Sequence, residues 1–276
     1  MTGKVAIITG SGSGIGAASA VLLAKNGWNI VINYASRIDS AKDVAQACAA
    51  HGAETLLCKA NVAEDADCRR MAADAMTRWG RIDALVNSAG TTRFADHADL
   101  EALSGDDFLE VYRINVVGPW QMVRAVVPHM KAGGKGAIVN ISSGAAIGPG
   151  RGPYRDAAAG ARGGTCYGAE KAALERFTQG LAAEVYQYGI SVTCVSPSQI
   201  VPTPGTVYHR LVKSIDDPRG EPPQLMAKAA LLLATEPLDR VTGRVTYSQQ
   251  ILKEFGWISD ARGRGVETRG SGYAEA

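Results

Sequence analysis

Six short runs rich in valine and isoleucine, VAIIT (5–9), NIVIN (29–33), ETLLC (54–58), DALVN (83–87), AIVNIS (137–142) and ISVTCVS (190–196), alternate with longer stretches of helical period. Nothing else in the chain limits its fold so tightly. Runs that are apolar throughout suit strands covered on both faces, since a strand with one wet face would alternate apolar and polar residues. Residues 14–26, 38–51, 64–79, 105–131 and 167–188 read as the intervening helices. Strand–helix alternation predicts an α/β fold: a doubly wound parallel sheet in a single domain, over 1–256. With 276 residues, 46% of them hydrophobic, the chain can bury one substantial core. Two regions break the rhythm. Residues 144–164, dense in Gly, Ala, Pro and Arg, read as a long loop. The tail 257–276, rich in glycine and charge, is expected to be loose in a lone subunit.

Several function classes are disfavoured. A net charge of +2 with scattered basic residues gives no case for nucleic acid. The hydrophobic stretch before Gly10 is about five residues, far short of the ~20 that span a bilayer, so a cytoplasmic protein without a membrane partner is expected. Five cysteines without a C-x-x-C pair, and four histidines without H-x-x-x-H spacing, indicate neither a disulfide framework nor a metal site.

After the first strand comes TGSGSGIG, running directly into a helix. Glycines in that place make a tight turn and let backbone approach a pyrophosphate, and the helix N-terminus favours an anion. Gly10, Ser11, Gly12, Ser13, Gly14, Ile15 and Gly16 are therefore candidate dinucleotide-binding residues, with a merely flexible turn as the alternative. An acidic residue at the end of the second strand would hold a free ribose 2′-hydroxyl. Here stand Asn33, Tyr34, Ala35, Ser36 and Arg37, and no carboxylate appears until Asp39. Ser36 and Arg37 could hold a 2′-phosphate, so NADP is favoured, with NAD left open by Asp39.

Further on, TCYGAEK (165–171) places Tyr167 and Lys171 at positions i and i+4, one face of a helix. Together with T-G-x-x-x-G-x-G (Thr9, Gly10, Gly14, Gly16), N-x-A-G (Asn87, Ala89, Gly90), Asn115 and Ser143, in this order, the chain resembles the short-chain dehydrogenase/reductase family over about 1–250. The resemblance implies an NAD(P)-dependent oxidoreductase interconverting a secondary alcohol and a ketone. Tyr167 would be the acid/base, Lys171 the cation that favours phenolate and binds the nicotinamide ribose, Ser143 the group that positions the substrate oxygen, and Asn115 the holder of a water. A free phenol with a pKa near 10 is a sluggish base at neutral pH, which is why a neighbouring cation is needed. Ser142 adjoins Ser143, and only the family pattern chooses between them. A regulatory or scaffold protein without turnover, and an epimerase using transient hydride transfer, are the alternatives.

The resemblance also assigns Asn61 and Val62 to the adenine side, where the family has Asp-Val. Asn87, Ala89 and Gly90 fall to the loop after the fourth strand, and Pro197, Ile200 and Thr203 to the segment after the sixth. It implies a small-molecule substrate and a homotetramer, or else a homodimer, built on the helices 105–131 and 167–188. Three departures stand out. Pro197-Ser198 replaces Pro-Gly, TGRVTYSQQILKEFG replaces the usual Val-Asp-Gly-Gly ending, and Ser143 and Tyr167 lie 24 positions apart where the family has about a dozen. The insertion is expected to wall the substrate pocket, through Pro149, Pro153, Arg151, Tyr154, Arg155 and Arg162; a solvated insertion or a subunit contact is the alternative.

Overall fold

All six apolar runs form strands: β1 (Lys4–Thr9), β2 (Trp28–Tyr34), β3 (Thr55–Lys59), β4 (Ala84–Asn87), β5 (Gly136–Ile141) and β6 (Ile190–Ser196). The computed structural model describes residues 3–93, 100–147 and 164–268. A short seventh strand, β7 (Val245–Tyr247), completes one sheet of order β3-β2-β1-β4-β5-β6-β7, parallel throughout. Three residues are too few for a periodic signal to announce them. Strand order reverses between β1 and β4, and a crevice opens at the carboxyl ends of strands at such a point.

The helices are α1 (Gly14–Lys25), α2 (Ile38–Ala49), α3 (Asp65–Trp79), α4 (Gly105–Tyr112), α5 (Gly118–Ala132), α6 (Thr165–Val185), α7 (Pro204–Tyr208), α8 (Pro223–Thr235), α9 (Leu238–Val241) and α10 (Ser248–Glu254). They cover both faces of the sheet. Along β1, Ala6 and Ile8 pack with Leu23, Leu232 and Ile251 on one side, while Val5 and Ile7 pack with Met71, Met122 and Val126 on the other. That double burial is why the strands read as continuous apolar runs.

The expected helix 105–131 is not continuous. A π-turn, Arg113–Val117, separates α4 from α5. Pro119 follows it and has no N–H to give to the carbonyl of Asn115, so an α-type bond cannot form there and the wider turn takes its place. The tail differs from expectation as well. Two of its arginines are bonded to the body of their own chain: Arg264 N donates to Ser198 O, and Arg262 N to the Gln249 side chain. Residues 148–163, with Pro149, Arg151, Pro153, Tyr154, Arg155 and Arg162, lie outside the described residues, as do 269–276.

Candidate active site

The glycine turn sits at the carboxyl end of β1, and its shape forbids side chains. Gly10 and Gly14 have φ of +64° and +55°, the left-handed region. A Cβ on Gly10 would lie 2.7 Å from Ala89 Cα, and one on Gly16 would lie 2.6 Å from Gly10 O. The turn is therefore pressed against the N-x-A-G loop on one side and against its own helix on the other. Ser13 is exposed and caps α1 with no side-chain bond, so the amides at this helix start still point outward. Such a cradle of backbone donors fits a pyrophosphate.

Asn33 supports this cradle from inside. Its Oδ1 accepts from Gly10 N at 2.9 Å, its amide donates to the carbonyls of Cys58 and Ala60, and its own N–H donates to Ser11 Oγ. With its side chain fully engaged and 2% exposed, Asn33 shapes the turn from within. Ser36 and Arg37 are exposed, and Arg37 O lies 3.9 Å from where a Gly12 Cβ would be. Asp39 points to solvent, paired with Lys42 at 3.7 Å. Tyr34 is half-buried at the end of β2.

Elsewhere on the same edge, Thr9 Oγ1 accepts from both Ser88 N and Ala89 N at 3.0 Å, fixing the N-x-A-G loop to β1. Asn87 donates to Asn140 Oδ1, while its own Oδ1 is buried without a partner. Asn61 turns its Oδ1 back onto Ala63 N, and Val62 is buried, its carbonyl accepting from Gln121. Thr203 caps α7 by accepting from Thr206 N, and its methyl lies 3.1 Å from where a Gly14 Cβ would sit. The segment Pro197–Thr203 thus returns to the glycine turn, with Ile200 held through its carbonyl by Glu221 N.

The proton-transfer candidates converge on the same edge. On α6 the Lys171 ammonium lies 5.7 Å from the centroid of the Tyr167 ring. Lys171 is 5% exposed, and its Nζ donates to Ile141 O at 2.9 Å, at the strand end that leads into Ser142 and Ser143. The two serines are now distinguishable. Ser142 is buried, donating to Glu175 Oε1 at 2.8 Å, whereas Ser143 is half-buried and caps a single 3-10 turn, Gly144–Ala146. That turn packs on the start of α6: a Cβ on Gly168 would lie 2.6 Å from Ala145 O. Asn115, in the π-turn, accepts from Thr91 N and donates to Thr91 O and to Glu170 Oε2 at 2.7 Å. A Cβ on Gly90 would meet Asn115 Oδ1 at 3.3 Å and Lys171 Nζ at 3.8 Å, so the N-x-A-G loop, the π-turn and α6 meet there.

Two glutamates complete the cluster. Glu170 is fully buried, with Oε1 lacking a partner, and Glu175 is 1% exposed. Burial pushes both carboxyls above their ordinary range, against hydrogen bonds and the Lys171 charge that pull them down. Sequence reasoning passed over them because acids on a helix are ordinarily solvated. Their spacing was a signal, since Glu170 stands three residues from Tyr167 and Glu175 four from Lys171.

The described residues hold no group of three or more metal-ligating side chains, and no helix among them is long and apolar enough to cross a membrane. The thiols of Cys48, Cys58, Cys68 and Cys194 are buried and raised to about 11 or 12, chiefly by burial, which makes them unreactive.

The profile of the short chain dehydrogenase family matches residues 4–210. The chain is a short-chain dehydrogenase/reductase. As a member of that family it is an NAD(P)-dependent oxidoreductase acting on keto groups or the corresponding alcohols. It is 41% identical over 139 residues to a ketoacyl reductase of granaticin polyketide synthesis from Streptomyces violaceoruber, a match that takes in 50% of this chain and 54% of that protein. It is 32% identical over 200 residues to versicolorin reductase 1 of Dothistroma septosporum, covering 72% of this chain and 70% of that one. The crystal structure of a metagenomic short-chain oxidoreductase in complex with NADP superposes with a TM-score of 0.71 at 26% identity, covering 88% of this chain and 95% of the other.

Proposed function

We propose that this dehydrogenase is an NADPH-preferring ketone reductase in which Tyr167 gives the proton, Lys171 and Ser143 prepare it, and Asn115 organises the path that replaces it. The observation that carries the reading is the convergence of Tyr167 and the buried Lys171 beside the Ser143 turn, on the sheet edge where the glycine cradle lies. The cofactor, held by Gly10–Gly16 with Ser36 and Arg37 at its 2′-phosphate, would supply the hydride. Charge then develops on the substrate oxygen, and a donor aimed at it is worth most where water is excluded. The Ser143 hydroxyl positions that oxygen and the Tyr167 hydroxyl protonates it. A cation next to the phenol favours the phenolate that remains, which is the electrostatic part of Lys171's work. Asn115, held through both polar atoms of its amide, keeps the π-turn and the Thr91 backbone in place around this group.

NADP over NAD rests on the exposed Arg37 and on Asp39 being turned toward Lys42. The NADP complex of the similar metagenomic enzyme agrees with it. The direction toward reduction rests on versicolorin reductase 1 and the ketoacyl reductase among the relatives. The test is NADPH absorbance with a panel of ketones. Ketone-dependent oxidation is the expected outcome; tight NADPH binding without oxidation on any ketone would favour a scaffold protein instead.

The same proposal includes a homotetramer or homodimer in the cytoplasm. Its support is the outer face of α5 and α6, where Trp120 is 45% exposed and stands edge-on to Phe177, with ring centroids 6.0 Å apart. An aromatic pair left half-open on two adjacent helices is a natural seat for a two-fold contact. The insertion after Ser143 is proposed to line the substrate pocket, since its ends, Gly144 and Gly164, are held beside the catalytic group.

A further inference from the structure

The departures from family pattern gather in one place. Ser198, standing where the family has glycine, donates its N–H to Ser248 Oγ and accepts from Gln249 N through its hydroxyl. Ser248 and Gln249, at the start of α10 in the altered C-terminal segment, both donate to the buried Glu221. This network presents a floor to which the tail is bonded. Arg262 N donates to Gln249 Oε1, Arg262 Nε to Gln199 Oε1 and Arg264 N to Ser198 O. Close approach is built in: Gly263 has φ of +88° and a Cβ there would lie 2.4 Å from Ser198 O.

The tail so held delivers a guanidinium to the catalytic edge. Arg264 Nη1 donates to Gly144 O at 2.5 Å, one residue after Ser143. The group lies flat against Gly144, whose hypothetical Cβ would be 3.1 Å from Nη1 and 3.3 Å from Cζ. Its charge also reaches the Tyr247 phenol at the end of β7, whose pKa burial pushes up and Arg264 pulls back down. Other arginines of the chain, such as Arg81, Arg219 and Arg244, face a carboxylate. Among the described residues, Arg264 faces none. A guanidinium has five N–H donors in a fixed fork, and a carbonyl and a phenol do not use them all. Because consecutive Cα atoms are about 3.8 Å apart, the free donors stand within roughly 10 Å of the Ser143 hydroxyl. That is the reach of a ketone carrying an acidic group a few bonds from its carbonyl.

We infer that Arg264 is a specificity-determining residue, which selects ketones bearing a carboxylate near the reacting carbonyl by offering the free edge of its guanidinium beside Ser143. The inference rests on the ketone-reductase reading above and names the substrate class of that site. A planar fork matches a carboxylate in geometry as well as charge. Lysine in its place would keep the charge, and glutamine a neutral donor.

The test pairs 2-oxo-, 3-oxo- and 4-oxocarboxylates with their methyl esters and compares kcat/KM within each pair, for the native enzyme and for Arg264→Gln and Arg264→Lys. NADPH affinity serves as the check on folding. The native enzyme should prefer at least one acid over its ester by about tenfold or more, the scale of one charge-assisted hydrogen-bonded pair. Arg264→Gln should bring that ratio near one and Arg264→Lys should keep part of it, with the loss in KM more than in kcat. A native ratio near one in every pair overturns the inference, as does a preference that survives in Arg264→Gln. A purely structural clamp would slow acid and ester alike, which also overturns it. Calorimetric titration of the same carboxylates and esters into the NADPH-loaded enzyme separates this from the function itself. Acid-selective binding without turnover would sink the reductase reading and leave Arg264 in its role, and turnover without acid selectivity would do the reverse.

Discussion

In the proposed reaction Tyr167 is the side chain on which the chemistry turns. Replacing it by phenylalanine keeps the ring and removes the hydroxyl proposed to give the proton. We expect Tyr167→Phe to lower kcat by about two orders of magnitude or more, the usual scale of general acid catalysis, while NADPH binding, measured by fluorescence, stays close to native. Retained turnover would take the acid role away from this residue. Arg37 carries a different question. With Asn33 used up inside the glycine turn and Asp39 paired to Lys42, Arg37 is the exposed cation at the end of β2. Arg37→Asp should narrow or reverse the preference for NADPH over NADH, read as the ratio of the two dissociation constants. An unchanged ratio would place the 2′-phosphate elsewhere.

At the scale of elements, the site is a meeting of strand ends and helix starts, and its tolerances are set by backbone contact. Gly16 opens the first turn of α1 against the glycine loop, where a Cβ would lie 2.6 Å from Gly10 O and 2.9 Å from Ser11 Cα. Neither neighbour is a flexible side chain, so the loop itself must move. Gly16→Val is expected to weaken NADPH binding by about tenfold or more through the disturbed pyrophosphate cradle, with the circular dichroism of the fold kept; native affinity would show that the cradle is not where the cofactor sits. The π-turn is the second such element. Glu170 ties it to α6 by accepting from Asn115 across the packed helices. The periodic pattern of 105–131 continues straight through this turn, and so it is invisible as a break until Pro119 is weighed. The stretch 144–164 shows the opposite limit, a sequence without period whose length alone marks a departure.

The molecule as a whole carries opposing titrations. Glu170, Glu175 and Glu221 are pushed up by burial, so the fold keeps protons that the unfolded chain would release. Their contribution to stability is full below the ordinary glutamate value of 4.5 and is lost as pH rises through their raised values. Asp65, Asp67 and Asp107 are held low, first of all by hydrogen bonds from Arg69, from Asn61 N–H and from Ser104 respectively. Their contribution is present above the ordinary aspartate value of 3.8 and fades as pH falls. Thermal stability should therefore be greatest in mildly acidic solution and decline as pH rises above the ordinary glutamate range. Glu221→Gln should flatten that decline, and an equal slope in the variant, by calorimetry, would remove Glu221 from the account. Assembly is the other property of this scale. Light scattering at micromolar concentration should report a tetramer or dimer, and Trp120→Glu, which puts a charge on the open aromatic face, should shift it to smaller species; a native monomer would refute the assembly.

Much of this protein is legible without coordinates, and the reason is periodicity. Strands buried on both faces must be apolar throughout and helices between them must repeat every 3.6 residues, so β1 to β6 and the parallel wound sheet follow from local pattern. The glycine turn and the Tyr167–Lys171 pair are legible too, because each is contiguous in the chain and its spacing carries its geometry. What lies far apart in sequence is not. Asn33 reads only as one of the residues that end the second strand, and its bonds to Gly10, Ser11, Cys58 and Ala60 appear only in the fold. Glu170 and Glu175 read as solvated helix charges until Asn115 and Ser142 reach them across the fold. The tail reads as loose because its glycines and charges promise no core. Only tertiary contact decides otherwise, since the partners that hold Arg264, Gly144 and Ser198, stand 120 and 66 positions away in the chain, and no local pattern records a bond over that distance.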